Sequence, residues 1–319
     1  MPKSGTTFLG VLMDPIVDIK PVKDSTLAML LAAQARGWTL SYMEQADLYL
    51  RDGVAHTRRR TLTVRDDAEH WFSLGGEQDG PMSNLDLVLM RKDPPFDMEY
   101  VYSTYILERA EQAGVLVVNR PQSLRDANEK AYTSWFPDCC PPTLMSRDMG
   151  RIRAFLHEHK KIVVKPLEGM GGLLVFVLNE GDPNISVVLE TLTQDGSRLT
   201  VAQKYVPEIK DGDKRILLID GEPVPYALAR VPAPGEARGN LAAGGTGVGV
   251  PLSARDRWIC SRVGPTLKAK GLTFVGLDVI GDWLTEINVT SPTCIRELDT
   301  IYSLDIAGQL MDVLAKKLA

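Results

Sequence analysis

Toward the end of the 319-residue chain, Asp278, Glu286 and Asn288 stand in two apolar runs, "FVGLDVI" and "WLTEINV", joined by Gly281 and Asp282. Side chains alternate faces along a strand, so Val275, Leu277 and Val279 share one face of the first run, and Ile287 and Val289 share one face of the second. When those apolar faces coincide, the three polar side chains lie together on the opposite face. A plain two-residue turn prevents this because it pairs Val279 with Leu284; the sequence therefore calls for an odd-numbered loop or a bulge. Asp278 then sits opposite Glu286, and two carboxylates about 5 Å apart repel by roughly 3 kcal/mol at an effective dielectric of about 20. The donors are all oxygens, which suits a hard cation such as magnesium. A solvent-facing polar stripe accounts for the same pattern, and these residues alone leave both readings open.

A second group of residues could hold phosphates. In "KIVVKPLEGMGGLLVFVL", Lys165 closes one strand-like run and a loop with Gly169, Met170, Gly171 and Gly172 leads into the next. Glycines let backbone amides approach phosphate oxygens, and the lysine adds a point charge. No Gly-Lys-Ser/Thr follows and the glycines lead into a strand, so the segment is neither a Walker A loop nor a dinucleotide fingerprint. It reads as a flap over nucleotide phosphates, or as an ordinary glycine-turned hairpin.

Downstream, the strand "TVAQ" runs through Gln203 into Lys204, Tyr205 and Val206, an extended segment whose alternating backbone donors and acceptors match a purine edge. Asp213 could hold a ribose hydroxyl, and Arg215 opens the next strand; a surface loop with excess charge is the alternative reading. The stretch from Arg230 to Pro251 has too little apolar material to pack and reads as a functional lid loop or as a disordered one, with Arg230, Arg238 and Asn240 as its polar recognition groups.

The elements that must position these groups follow from periodicity. "FLGVLM", "WTLSYME", "LDLVLMRKD" and "VLVVN" read as buried strands, separated by the helix patterns "DSTLAMLLAAQARG", capped at Asp24 or Ser25, and "DMEYVYSTYILERAEQAG". This strand–helix alternation predicts a parallel sheet whose ligands meet the carboxyl ends of the strands, where Asp14, Arg91, Lys92 and Asn119 fall. "PQSLRDANEKAYTSWF" reads as one helix introduced by Pro121. The double proline of "PDCCPPTLMSRD" marks entry to a second, α+β region.

The totals narrow the class. A chain with 44% hydrophobic residues can form about two cored domains. The balance of 36 basic and 41 acidic residues leaves a net charge of −5 without a dense basic stripe, which argues against nucleic acid. No apolar stretch approaches a membrane span and no signal peptide is evident, so the cytoplasm is the expected location. Cys139, Cys140, Cys260 and Cys294 lack metal-ligand spacing and read as reduced thiols.

Taken together, "LMDP" at Leu12, "LMRKDPPFD" at Leu89, "PQSLRDANEK" at Pro121, "KPLEGMGG" at Lys165, "IKDGDKR" at Ile209, "ARGNLAAGG" at Ala237 and "LTEINVTSPTCIRE" at Leu284 resemble the ATP-grasp ligases, and among them the bacterial glutathione synthetases. The resemblance covers essentially the whole chain. It implies a mixed α/β and α+β architecture: an N-terminal parallel-sheet domain over 1–127, and an ATP-grasp domain over 128–319 divided near residue 204. The activity it implies is ATP-dependent joining of γ-glutamylcysteine to glycine in a homotetramer, with two magnesium ions, or manganese in their place.

By the same resemblance, Lys130 and Lys165 hold nucleotide phosphates under the Gly169–Gly172 flap, Gln203 to Val206 form the adenine hinge, and Asp213 contacts the ribose. Asp278, Glu286 and Asn288 ligate metal. Arg215 stabilises the oxyanion, with Arg230, Arg238 and Asn240 in the catalytic lid, while Asp14, Arg91, Ser291, Thr293 and Arg296 meet substrate. Leu173 and Leu174 depart from the smaller or more polar residues expected after the glycines. Another ATP-grasp carboxylate–amine ligase and a non-catalytic nucleotide-binding regulator are the competing readings.

Overall fold

The computed structural model describes residues 6–169, 171–235, 239 and 244–319. The first part contributes strands β1 (Phe8–Leu12), β2 (Thr39–Met43), β3 (Leu48–Arg51), β4 (Val54–Val64), β5 (Phe72–Pro81), β6 (Leu87–Met90) and β7 (Leu116–Val118). As the strand–helix alternation predicts, β2, β1, β6 and β7 run parallel in that order. Helix α1 (Ser25–Ala35) starts where Asp24 accepts the Leu27 N–H at 2.6 Å, and α2 (Met98–Gln112) starts at Asp97 in the same way. The antiparallel β4–β5 hairpin extends the sheet and was not expected. Its sequence, with Arg58, Arg59 and Arg60 in one strand and Glu77 and Asp79 in the other, carries polar residues where an apolar alternation would announce a strand.

Pro121 does introduce a helix, α3 (Pro121–Asp126), but the expected longer helix stops there. The Asn128 side chain accepts the N–H groups of Lys130 and Ala131, an Asx turn that competes with helical bonding and restarts the chain as a short 3-10 turn.

Beyond the double proline, β8 (Thr143–Ser146), β9 (Lys161–Pro166), β10 (Phe176–Asn179) and β11 (Thr200–Lys204) form a four-stranded sheet ordered β10-β9-β11-β8. Helices α4 (Met149–His159) and α5 (Ile185–Thr193) cover it, and Ile152, Leu156, Ile162, Val164, Leu189 and Ala202 make a small core of its own. The last sheet takes β12 (Asp213–Ile219), β13 (Glu222–Val231), β14 (Thr246–Pro251), β15 (Phe274–Ile280) and β16 (Trp283–Asn288), ordered β14-β13-β12-β15-β16. The expected lid loop is thus shorter than its composition suggests, since Thr246–Pro251 pairs with β13.

Helices α6 (Ala254–Ala269), α7 (Ile295–Tyr302) and α8 (Ile306–Leu318) complete the chain. Helix α8 returns to α1, where Arg36 donates to Gly308 O and Asp312. One continuous core joins Leu12, Val88 and Val117 of the first sheet to Ile216, Leu277 and Ile287 of the last. Each such fully buried aliphatic side chain contributes about 1.5–3 kcal/mol, which locks these two layers together while the four-stranded sheet keeps a separate core.

Candidate active site

The β15–β16 hairpin has the geometry its apolar faces require. Gly281 and Asp282 make the turn, Val279 pairs with Leu284, and the register then shifts so that Asp278 faces Glu286. The extra residue is Thr285, whose hydroxyl donates to Asp278 O at 3.1 Å. Both features of the sequence argument are therefore present: a two-residue turn and a bulge that corrects its register.

Cations do sit at both carboxylates, and they come from the protein. Arg215 on β12 grips Asp278 with a fork, Nε to Oδ1 at 2.5 Å and Nη2 to Oδ2 at 3.0 Å. Arg230 adds a contact to Asp278 Oδ2 at 2.9 Å and another to Asp213 Oδ2 at 2.5 Å. Lys165 lies 3.2 Å from Glu286 and Lys130 lies 3.9 Å from it. Gly276 leaves room for this: a Cβ there would come within 2.8 Å of Arg215 Cδ and 3.0 Å of Pro292 Cβ. Arg230, expected in the lid, belongs to β13 and is buried.

Charge and burial compete here. Burial pushes the Asp278 carboxyl up, but Arg215 and Arg230 outweigh it and hold the group well below the usual carboxylate range. Burial likewise raises Glu286, and Lys130 and Lys165 reverse it to a net lowering. At Asp213 burial wins over Arg230, and the carboxyl is pushed up to about 6. Its Oδ1 is buried without a hydrogen-bond partner among the described residues.

These groups line one cavity of about 330 Å³ between the four-stranded sheet and the last sheet. Lys130, Lys165, Gly169, Gly171, Gly172, Gln203, Lys204, Tyr205, Val206, Asp213, Arg215, Arg230, Glu286, Asn288, Ser291 and Thr293 all border it, with Asp278 just behind the arginines. Lys130 also donates to Gly169 O at 3.0 Å, tying the flap to the floor. Gly169, Gly171 and Gly172 have φ of 111°, 65° and 79°, values that suit glycine. Met170, Arg238 and Asn240 lie outside the described residues.

Three expected substrate residues do not border the cavity. Arg91 is buried and spends its guanidinium on Thr26 Oγ1 and Pro292 O, both at 3.0 Å. Asp14 pairs with Lys92 at 2.8 Å and accepts the Asp93 N–H, so it shapes the turn that brings Asp93 and Pro94 to the cavity rim. Arg296 reaches Asp66 instead. Glu129, which the sequence reading passed over, is a cavity carboxylate paired with Lys130; burial and then the Glu286 charge raise it. Beside a lysine in "NEK" it resembles a surface ion pair, but the Ile287 N–H donates to Glu129 O and ties this segment to the last sheet.

Among the described residues the charges at the cavity balance: Lys130, Lys165, Lys204, Arg215 and Arg230 against Asp93, Glu129, Asp213, Asp278 and Glu286. A polyphosphate entering such a site brings excess negative charge, which calls for a further cation. Among the described residues no cluster of three His, Cys, Asp or Glu side chains is grouped to hold one; the expected trio contains only two carboxylates. Glu286 and Asn288 nevertheless offer oxygen to the cavity, and Asn288 Nδ2 is turned toward Gly276 O at 3.3 Å. Asp278 Oδ1 accepts from Arg215 Nε, and a carboxylate oxygen keeps a second lone pair that an ion could share.

A sequence profile of the prokaryotic glutathione synthetase N-terminal domain matches residues 8–125, and one of the prokaryotic glutathione synthetase ATP-grasp domain matches residues 129–303. The chain belongs to the prokaryotic glutathione synthetase family. The glutathione synthetase of Pseudomonas aeruginosa is 65% identical over 311 residues, covering 98% of each chain. That of Escherichia coli K12 is 58% identical, over 97% of this chain and 98% of its own.

Among solved structures, the D-cycloserine synthetase DcsG superposes with a TM-score of 0.68 at 16% identity, covering 98% of this chain and 100% of its own. The ATP-grasp ligase PsnB, solved with minimal precursor, Mg and ADP, gives 0.62 at 17%, over 97% and 98%. At these identities the last two speak for the fold alone. Membership in the prokaryotic glutathione synthetase family makes the chain an ATP-dependent ligase of glutathione biosynthesis that acts on small molecules with a divalent metal ion. The four cysteines are free and buried, and no described helix is long and apolar enough to cross a membrane.

Proposed function

We propose that this chain joins the cysteinyl carboxylate of γ-glutamylcysteine to the amine of glycine, with magnesium as its ion, as a cytoplasmic homotetramer. The observation that carries this reading is the convergence of Lys130 and Lys165 on Glu286, and of Arg215 and Arg230 on Asp278, at one cavity under a glycine flap. We assign residues 1–127 to the substrate-binding domain and 128–319 to the ATP-grasp domain.

A carboxylate is a poor electrophile, so its oxygen first takes the γ-phosphoryl group of ATP, giving an acyl phosphate and ADP. Lys130 and Lys165 hold the phosphates and Gly169, Gly171 and Gly172 exclude water above them. Gln203 to Val206 border the adenine, and Asp213 Oδ1, without a partner among the described residues, accepts a ribose hydroxyl. Glu286, Asn288 and Asp278 would hold a divalent ion, which would supply charge neutralisation at the phosphates. The glycine amine then attacks the acyl carbon, Arg215 stabilises the tetrahedral oxyanion, phosphate leaves with the C–O bond electrons, and the amine gives up a proton. Ser291 and Thr293 meet the substrate carboxylates, while Arg91 acts by fixing the loop that carries them.

Phosphate release tests the reading. With ATP and magnesium, release is expected only when γ-glutamylcysteine and glycine are both present; equal release with either one missing, or none with both, overturns it.

A further inference from the structure

Helix α2 buries Tyr100, Ser103, Thr104, Leu107 and Ala110 against its own sheet. Its outward face is left over. Met98, Tyr102 and Tyr105, spaced i, i+4 and i+7, form one stripe, 55%, 48% and 47% exposed. No other described helix carries three large exposed apolar side chains. The stripe is also held in place: the Tyr102 and Tyr105 rings are 6.3 Å apart, and Arg125, braced by Glu108, lies 4.8 Å above Tyr105. Ordered aromatic side chains lose little entropy on docking and are enriched at interfaces.

We infer that this face of α2 is where a second copy of the chain docks, antiparallel about a two-fold axis; this deepens the homo-oligomer reading above and rests on it. The charges select the arrangement. Glu99 stands near one end of the stripe and Arg109, fixed by its Nε bond to Gly53 O at 3.0 Å, stands at the other. Antiparallel packing sets Glu99 of each copy beside Arg109 of the other, whereas parallel packing sets like charges together. The same operation sets Tyr102 against Tyr105 of the second copy and carries Met98 to the far end of the helix. There the shape is complementary: a hollow of about 320 Å³ lies between Val54, Ala55 and Ser83 on one side and Arg109, Ala110 and Ala113 on the other. A helix of 15 residues is only about 22 Å long. A stable interface needs about 800 Å² per partner, so this hollow and the exposed Val54 beside it supply contact that the stripe alone lacks.

Sedimentation equilibrium on the full chain tests the face. The wild type is expected to be oligomeric at about 10 μM, and Tyr102→Glu with Tyr105→Glu to halve its mass with its melting curve intact. Glu99→Arg and Arg109→Glu, prepared separately, are each expected to dissociate by the same factor of two; an equimolar mixture, in which every cross-copy pair is again Glu with Arg, regains the wild-type mass. An oligomer whose mass none of these variants changes overturns the assignment of the face, and hands α2 to a different partner. A monomeric wild type overturns the face and the homo-oligomer reading together.

Discussion

Asp278 and Glu286 face each other across the last hairpin because one residue, Thr285, is bulged out of register between them. Without that insertion one carboxylate would point into the core. With it, two buried acids share a face, and four cationic side chains from β9, β12, β13 and the segment after α3 gather to neutralise them. The cavity, its charge balance and the flap tie at Gly169 all follow from that register.

Arg215 is assigned to the oxyanion, so its loss should act on turnover. Arg215→Ala is expected to lower kcat about a hundredfold or more, as removal of one oxyanion donor typically costs about 3 kcal/mol, with ATP affinity little changed. Arg215→Lys keeps the charge but not the fork on Asp278, and should fall between. Phosphate-release kinetics and an ATP titration check both; an unchanged turnover removes Arg215 from this role.

Glu286→Gln takes away the acid between Lys130 and Lys165. The rate at a fixed ion concentration should fall at least about 10–100-fold and recover in part as the ion is raised. The melting temperature should move by only a few degrees, about what 1–2 kcal/mol produces in a chain of this size. A variant that simply fails to fold, with normal ion dependence in its soluble fraction, contradicts the metal assignment.

Asn119 joins the two locked layers. Its amide donates to Phe274 O at 2.8 Å and to Val289 O at 2.6 Å, and its carbonyl accepts the Phe274 N–H at 2.9 Å. Val289 opens the loop to Ser291 and Thr293, so Asn119→Ala should raise the KM for γ-glutamylcysteine about tenfold while leaving the KM for ATP within about twofold. It should also cost about 1–3 kcal/mol of stability, because the abandoned backbone groups stay buried. Equal rises in both KM values contradict a positioning role.

How much of this was legible beforehand varies by residue. The parallel strands and the Asp24 cap were legible because period and capping are local signals, and so was the bulge, because apolar faces must coincide. Arg230 read as loop because its strand partner, Thr246–Pro251, is rich in glycine. The β4–β5 hairpin carried no strand signal because exposed Arg58 and Arg60, buried Arg59 and the facing acids hide the alternation. Arg91 and Asn119 were found as polar groups at strand ends, but their partners, Pro292 O and Val289 O, lie in another sheet's loop. Glu129 was missed for the same reason: its backbone partner, Ile287, lies in another sheet.

Away from the cavity, Asp299 gives a clean pH signature. Burial, despite the Ile306 N–H it accepts, pushes its carboxyl up to about 6 from an ordinary value of 3.8. A raised carboxyl favours the folded state most below its unfolded pKa, and that advantage is lost as pH climbs from about 4 through about 6. Asp299→Asn keeps the accepting oxygen and cannot ionise, so it should gain about 1 kcal/mol relative to wild type across that window, the figure discounted because the group is partly exposed. Denaturant melts at pH 4 and pH 7 check this; a constant difference contradicts it.

On the proposed reaction, the peptide carboxylate is activated by direct phosphoryl transfer in the cavity between Lys165 and Arg215. The most direct measurement uses γ-glutamylcysteine whose cysteinyl carboxylate carries oxygen-18, with ATP, magnesium and glycine, and mass spectrometry of the phosphate released. Each phosphate is expected to carry one labelled oxygen from the substrate carboxylate. Phosphate released at the rate of glutathione formation but without label would contradict it.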